Sequence, residues 1–248
     1  MNNNLLERQY TVGSVDVDSR GNMRLSAILN ICQEIAYEHS TLMGFGFETL
    51  RELNLAWVLS RATIRIERLP LWRENIKVET WHKRQSGLFS LRDYIFYNSE
   101  SEPIVRVTTS WLIINLASRR ITRLDRVSTS SHHIEFHTYA CDAIAEESAR
   151  LDMPTQVVSE EPHHVRYSDI DLNQHVNNAK YVEWLIDRAE EHNADCQQIK
   201  ELVINFNHEA LRGQQIEISS HTNTPHIYLE GKYMGRNIFV ALIEYGCL

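Results

Sequence analysis

Between Arg61 and Arg68 the chain reads Arg-Ala-Thr-Ile-Arg-Ile-Glu-Arg, with polar and apolar residues in alternation. Successive side chains of a strand point to opposite faces, so this run predicts a half-buried strand. Further β-like runs follow at Ile76–His82, Leu88–Tyr97 and Ile104–Asn115, separated by turn signals at Ser86-Gly87 and over Asn98–Pro103. Ahead of them, Leu25–Leu53 is rich in Leu, Ile, Ala and Glu. It predicts a long helix to about Ser40, a break at Gly44 and Gly46, and a shorter helix. Residues 126–162 read as a connector, Ser/Thr/His-rich at first, with a short helix over Ile144–Leu151 and an end bracketed by Pro154 and Pro162. The same order then returns. A strand at Val165–Ser168 leads into a turn and a helix over Asn178–His192. Strands follow near Leu202–His208, Gln215–His221, His226–Tyr233 and Ile238–Tyr245.

The return has the form of an internal repeat. Val15-Asp16-Val17-Asp18 matches Ser168-Asp169-Ile170-Asp171 at an offset of 153 residues, and Asn75-Ile76-Lys77-Val78 matches Gln215-Ile216-Glu217-Ile218 at an offset of 140. The second copy therefore has a shorter helical section. Each copy reads strand, helix, then antiparallel strands, an α+β unit in which a sheet wraps one long helix. The expected division is an N-terminal copy over 1–127, a connector over 128–161 and a C-terminal copy over 162–248.

The 248 residues carry 33 acidic and 25 basic side chains, a formal net charge of −8. This balance argues against non-specific nucleic-acid binding, which needs a surplus of Lys and Arg. Residues 1–130 hold 17 basic and 14 acidic side chains, net +3, and residues 131–248 hold 8 and 19, net −11. The halves are thus expected to face different partners. The first ten residues lack a secretory or transit pattern, and no apolar run approaches the roughly 20 residues that span a bilayer. Cys32, Cys141, Cys196 and Cys247 are far apart, with no CxxC pair. A disulfide scaffold and a thiolate zinc site are not expected, and the compartment read from this is cytoplasmic.

The densest polar cluster is Val165–Trp184. Asp171, Asn173 and His175 fall at i, i+2 and i+4, which in an extended loop points all three to one side. Asn177 and Asn178 follow as helix N-cap candidates. An acid, an amide and an imidazole beside a helix N-terminus suit hydrolysis of an ester or thioester. Each also has a plainer role: Asp169 and Asp171 as turn or capping residues, Asn173 as a left-handed turn residue, His175 as a satisfied histidine. At the 153-residue offset the first copy has Arg20 for Asn173 and Asn22 for His175. Only one half is equipped for chemistry.

The run Asp171-Leu172-Asn173-Gln174-His175-Val176-Asn177-Asn178, followed by Lys180-Tyr181, resembles the signature of acyl-ACP thioesterases. So do Leu55–Arg61, Pro70-Leu71-Trp72, Val78–Trp81 and Ser110–Asn115 in the first copy, and the likeness extends over roughly residues 8–245. The resemblance implies two tandem hotdog domains and hydrolysis of the thioester between a fatty acyl chain and acyl carrier protein. It places the functional Asp, Asn, His and Glu on Asp171, Asn173, His175 and Glu209, with Glu209 on a strand of the second copy. It also implies substrate contacts at Asn177, Asn178, Trp57 and Arg61. Ala210 stands where plant members carry Cys, so no thiol nucleophile is available there and water or a carboxylate must attack.

In the expected mechanism Asn173 and helix amides near Val176–Asn178 hold the carbonyl and its oxyanion. His175 and Glu209 deprotonate water, while Asp171 orients them or shares the base role. No metal or organic cofactor is called for, although His132, His133, His137, His163 and His164 form a weak metal candidate. Arg119, Arg120, Arg123 and Arg126 form a basic cluster read as a dock for the acidic carrier. No membrane or nucleic-acid partner is expected, and a homodimer is allowed for. The rival readings are a hotdog acyl-CoA thioesterase and a non-catalytic acyl-thioester sensor.

Overall fold

The computed structural model describes residues 4–124, 127, 139, 141–191 and 199–246. The first half contains β1 (Leu6–Thr11), α1 (Leu25–Leu42), α2 (Phe47–Glu52), β2 (Leu55–Ile66), β3 (Asn75–Ser86), β4 (Phe89–Tyr97), β5 (Pro103–Asn115) and β6 (Ile121–Thr122). The second contains β7 (Val158–Ser159), β8 (His163–His164), α3 (Asn178–Glu191), β9 (Ile199–Phe206), β10 (Gln215–Asn223), β11 (His226–Tyr233) and β12 (Arg236–Tyr245). All pairings are antiparallel and join one sheet in the order β1-β3-β4-β5-β2-β9-β12-β11-β10-β7, with β6 on β5 and β8 on β10.

The halves meet at β2 and β9, where Thr63 faces Val203. These two residues are 140 apart, the offset of the sequence repeat, so a local two-fold passes through that pair. At the outer edges Tyr10 faces Ile76 and His163 faces Ile216, again equivalent positions. The turn before each helix repeats bond for bond. Asp18 N–H donates to the Asn22 carbonyl and Asp171 N–H to the His175 carbonyl, both at 2.8 Å. Gly13 N–H donates to Asp16 Oδ2 at 2.9 Å and Arg166 N–H to Asp169 Oδ2 at 2.8 Å. The Asp-x-Asp pair recurs because both carboxylates curl this backbone, and the second accepts from Arg20 N–H through Asp18 Oδ1 in one copy and from Asn173 N–H through Asp171 Oδ1 in the other.

Apolar residues at helical spacing decide which faces close. Leu25, Ile28, Leu29, Cys32, Ile35 and Ala36 of α1 are buried, as are Ala179, Val182, Leu185 and Ala189 of α3. The helices pack on one another and on one face of the sheet, and both halves share a single core cluster.

The expected helix at Ile144–Leu151 is absent. The segment instead crosses the opposite face of the sheet, and sheet side chains satisfy its backbone. Asp93 Oδ2 accepts from Ala143 N–H at 2.7 Å, and Ser148 Oγ donates to the Thr108 carbonyl at 2.9 Å. Asn205 Nδ2 donates to the Ala149 carbonyl at 2.8 Å, and its Oδ1 accepts from Leu151 N–H at 2.7 Å. Lys83 donates to the Ile144 carbonyl and lies 3.4 Å from Asp93, both side chains almost fully buried. The expected strand at Val165–Ser168 is likewise replaced. The strand is His163–His164, and a 3₁₀ turn follows at Tyr167–Asp169.

Candidate active site

Asp171, Asn173 and His175 do not lie in an extended loop. Gln174 adopts a left-handed conformation at φ 66°, its N–H donates to the Asp171 carbonyl at 3.0 Å, and Asp171 Oδ1 accepts from Asn173 N–H at 2.8 Å. This is an Asx-type turn, which a short carboxylate side chain favours. It corrects the expectation of an extended loop. Asp171 shapes the turn, Asn173 is exposed, and His175 is half-buried.

Val176 N–H then donates to the Ala210 carbonyl at 3.0 Å. That bond lays the turn against the loop after β9 and brings the preceding residues of each segment together. His175 Nε2 lies 3.2 Å from Glu209 Oε2. Glu209 sits in this loop, not on the expected strand, because β9 ends at Phe206. The loop is held by Asn207 N–H on the Ile238 carbonyl at 2.8 Å and by His208 Nδ1 at 2.7 Å from the Asn237 carbonyl. Ala210 is fully buried.

The N-cap of α3 is Asn177, whose Oδ1 accepts from Ala179 N–H at 2.8 Å. Asn177→Ala should lower stability by about 1 kcal/mol, the usual worth of such a cap, read as a fall in the urea midpoint. The equivalent residue in the first half is Arg24, which makes no side-chain cap. Asn178 is not a cap. Its Nδ2 donates to Gln33 Oε1 of α1 at 3.1 Å, tying the site to the first half. Gln33 was not among the expected residues, and nothing in its local sequence marks it. Two of the three amides expected to hold an oxyanion are already committed, Val176 to Ala210 and Asn177 to the Asp169 carbonyl at 2.8 Å.

Trp57 and Arg61 are both expected to contact substrate, and β2 has a bulge between Leu59 and Arg61. The extra residue reverses the facing of the strand. Trp57 therefore faces α1 and, with Ala36, Tyr37, Ser40, Phe45 and Trp111, lines a small cavity of about 50 Å³. Arg61 faces away. It lies over the Phe89 ring at 4.9 Å and donates to the Ser148 carbonyl at 3.4 Å, so it does not line the cavity. Buried Arg92 closes one wall, with its Nη1 2.8 Å from His39 Nδ1, and burial lowers its pKa.

The basic cluster is also redistributed. Arg119, Arg120 and Arg123 are all exposed, and Arg119 pairs with Glu209. Arg126, His132, His133 and His137 lie outside the described residues. His163 stacks on Trp184 at 3.9 Å and lies 3.3 Å from Asp169. Among the described residues no group of three or more His, Cys, Asp or Glu is placed to hold a metal.

Two family descriptions match the chain: the acyl-ACP thioesterase N-terminal domain over residues 3–128 and the C-terminal domain over residues 153–238. Among curated proteins, the chain is 26% identical to the oleoyl-acyl carrier protein thioesterase 2 of Arabidopsis thaliana, over 88% of this chain and 63% of that one. It is 26% identical to a palmitoyl-acyl carrier protein thioesterase of Gossypium hirsutum, over 92% and 58%. The chain thus spans about three fifths of the length of these relatives. Among solved structures it resembles an acyl-ACP thioesterase from Bacteroides thetaiotaomicron, with TM-score 0.82, 23% identity and 98% of each chain covered. It also resembles the 12:0-ACP thioesterase from Umbellularia californica, with TM-score 0.79, 19% identity and 98% and 97% covered. These structural matches carry the fold, two tandem hotdog units. The domain matches together take in most of the chain, which belongs to the acyl-ACP thioesterase family.

Proposed function

We propose that this protein hydrolyses the thioester of fatty acyl-[acyl carrier protein], releasing free fatty acid and the carrier thiol. The observation that carries this is the His175–Glu209 pair, 3.2 Å apart, beside the capped N-terminus of α3. The equivalent positions in the first half hold Asn22 and Leu69, which cannot exchange protons at neutral pH. Family membership supplies the substrate class, and the geometry supplies a means of activating water. Asn173 and the amide of Asn178 are the groups proposed to face the thioester carbonyl.

The acyl chain is proposed to enter the first half along α1. Gln33 touches Asn178, and Ala36 and Tyr37 line the cavity one turn further on, about 5 Å along the axis. The cavity of about 50 Å³ is far below the roughly 300 Å³ at which ligand sites begin, so its lining must move to admit a long chain. Arg120 and Arg123 are proposed to receive the acidic carrier. The proposed compartment is the cytosol, on the free thiols of Cys32 and Cys141; no helix among the described residues is long and apolar enough to cross a membrane.

The test is a panel of acyl-carrier and matched acyl-CoA thioesters varied in chain length, with fatty acid and free thiol quantified. Catalytic release with higher kcat/KM on the carrier thioesters is expected. Faster cleavage of the CoA series would overturn the carrier assignment, and stoichiometric binding without release would overturn the enzyme reading.

A further inference from the structure

Arg119 sits in the turn between β5 and β6, in the first half, yet its guanidinium meets a carboxylate of the second. Asn115 builds this turn. Its Oδ1 accepts from Ser118 N–H at 2.9 Å, and its carbonyl accepts from Arg119 N–H at 2.8 Å. The turn holds Arg119 at φ 56°, a left-handed conformation that costs a residue with a Cβ about 1–2 kcal/mol. Gly or Asn would serve the turn better. A long cationic side chain at a strained position therefore needs a gain elsewhere. That gain is Glu209, whose Oε2 accepts from Arg119 Nη2 and faces His175 Nε2 with the same oxygen.

We propose that Arg119 is a positioning residue for this pair and that His175, through Nδ1, is the group that takes the proton from water. The proposal rests on reading the site as hydrolytic. A carboxylate only accepts, so Glu209 requires a proton on His175 Nε2, and the neutral ring then carries its lone pair on Nδ1. The Arg119 bond fixes Glu209 in that pose and occupies the oxygen that faces the ring. The water oxygen bonds to the thioester carbonyl carbon while one proton passes to Nδ1. The C–S bond then breaks, and the imidazolium returns that proton to the leaving thiolate. The acid keeps the water oxygen and the second proton.

Among the described residues, the ionisable groups near the pair include Asp171 on the same turn, Tyr181 on α3, and His208 and Arg212 on the Glu209 loop. Tyr181 is held protonated, its pKa raised by burial and further by Glu209 and Asp171. His208 turns to Asn237 and Arg212 to the Tyr167 ring.

The test compares Arg119→Met, Arg119→Lys and Glu209→Gln on an acyl-carrier thioester and on the matching acyl-pantetheine thioester, with full pH profiles. Arg119→Met should lower kcat about tenfold on both substrates with little change in KM. Removing the cation leaves an uncompensated carboxylate beside His175, so the acidic limb of the profile should move to higher pH. Arg119→Lys should restore most of the rate and the limb. An unmoved limb with wild-type kcat would overturn the proposal, as would a loss confined to KM for the carrier thioester, which would mark a docking residue. Wild-type turnover in Glu209→Gln would remove the His175–Glu209 pair from the chemistry and overturn this proposal, whereas stoichiometric binding without release by the unaltered protein would overturn the hydrolytic reading and this proposal with it. An inactive Glu209→Gln beside an unaffected Arg119→Met would overturn this proposal alone.

Discussion

Glu209→Gln should lower kcat by at least about 100-fold, equivalent to about 2.7 kcal/mol in the barrier, with little change in KM. Glutamine keeps the size and can still accept from His175 Nε2. It carries no charge, so the imidazolium formed when water is deprotonated loses its counterion. His175→Ala removes the other member of the pair and should cost as much, because groups that act as a unit do not add. Steady-state turnover on an acyl-carrier thioester measures both. Neither should unfold the protein, since the His175 and Glu209 side chains are 28% and 35% exposed. Near-native thermal transitions in both variants separate lost chemistry from lost structure.

Lys83→Met should lower stability by about 3–5 kcal/mol, the cost of stranding a buried charge. Lys83 and Asp93 are almost fully buried 3.4 Å apart on the sheet face that carries the 141–151 segment. Burial raises the Asp93 pKa, opposed by the Thr108 hydroxyl at 2.6 Å, the Lys83 charge and the Ala143 amide. Without Lys83 the carboxylate loses its counterion, and the Ile144 carbonyl loses a donor. Urea denaturation should show the loss as a lower midpoint, and the melting temperature should fall by on the order of 10 °C. Lys83→Met with Asp93→Asn should recover part of it, because the neutral amide removes the buried charge. A full loss in the double variant would mean that packing, not charge, holds the segment.

What could be read in advance depended on how local its cause was. The repeat was legible because the Asp16 and Asp169 turns are closed by bonds within a few residues, and the strands because alternation is a property of neighbours. His175 and Glu209 were marked by a motif, yet the reason they meet, the Val176–Ala210 bond, joins segments 34 residues apart. The facing of Arg61 turned on a one-residue bulge that leaves no trace in the alternation around it. Residues 144–151 have a composition that suits a short helix, but side chains from β2, β3 and β9 answer their backbone groups instead. Asn177 and Asn178 are adjacent and alike, and only the start of α3 decides which of them caps it. Arg119 read as one of four surface arginines because its partner lies 90 residues away.

In the proposed reaction this site delivers water to a fatty acyl thioester carried by acyl carrier protein. A single turnover in H₂¹⁸O, with protein in excess over acyl-carrier thioester, tests it most directly by mass spectrometry of the fatty acid. One ¹⁸O atom is expected in the fatty acid released in that first turnover. Unlabelled fatty acid would show that a carboxylate oxygen attacked, and intact acyl-carrier thioester bound to the protein would contradict hydrolysis itself.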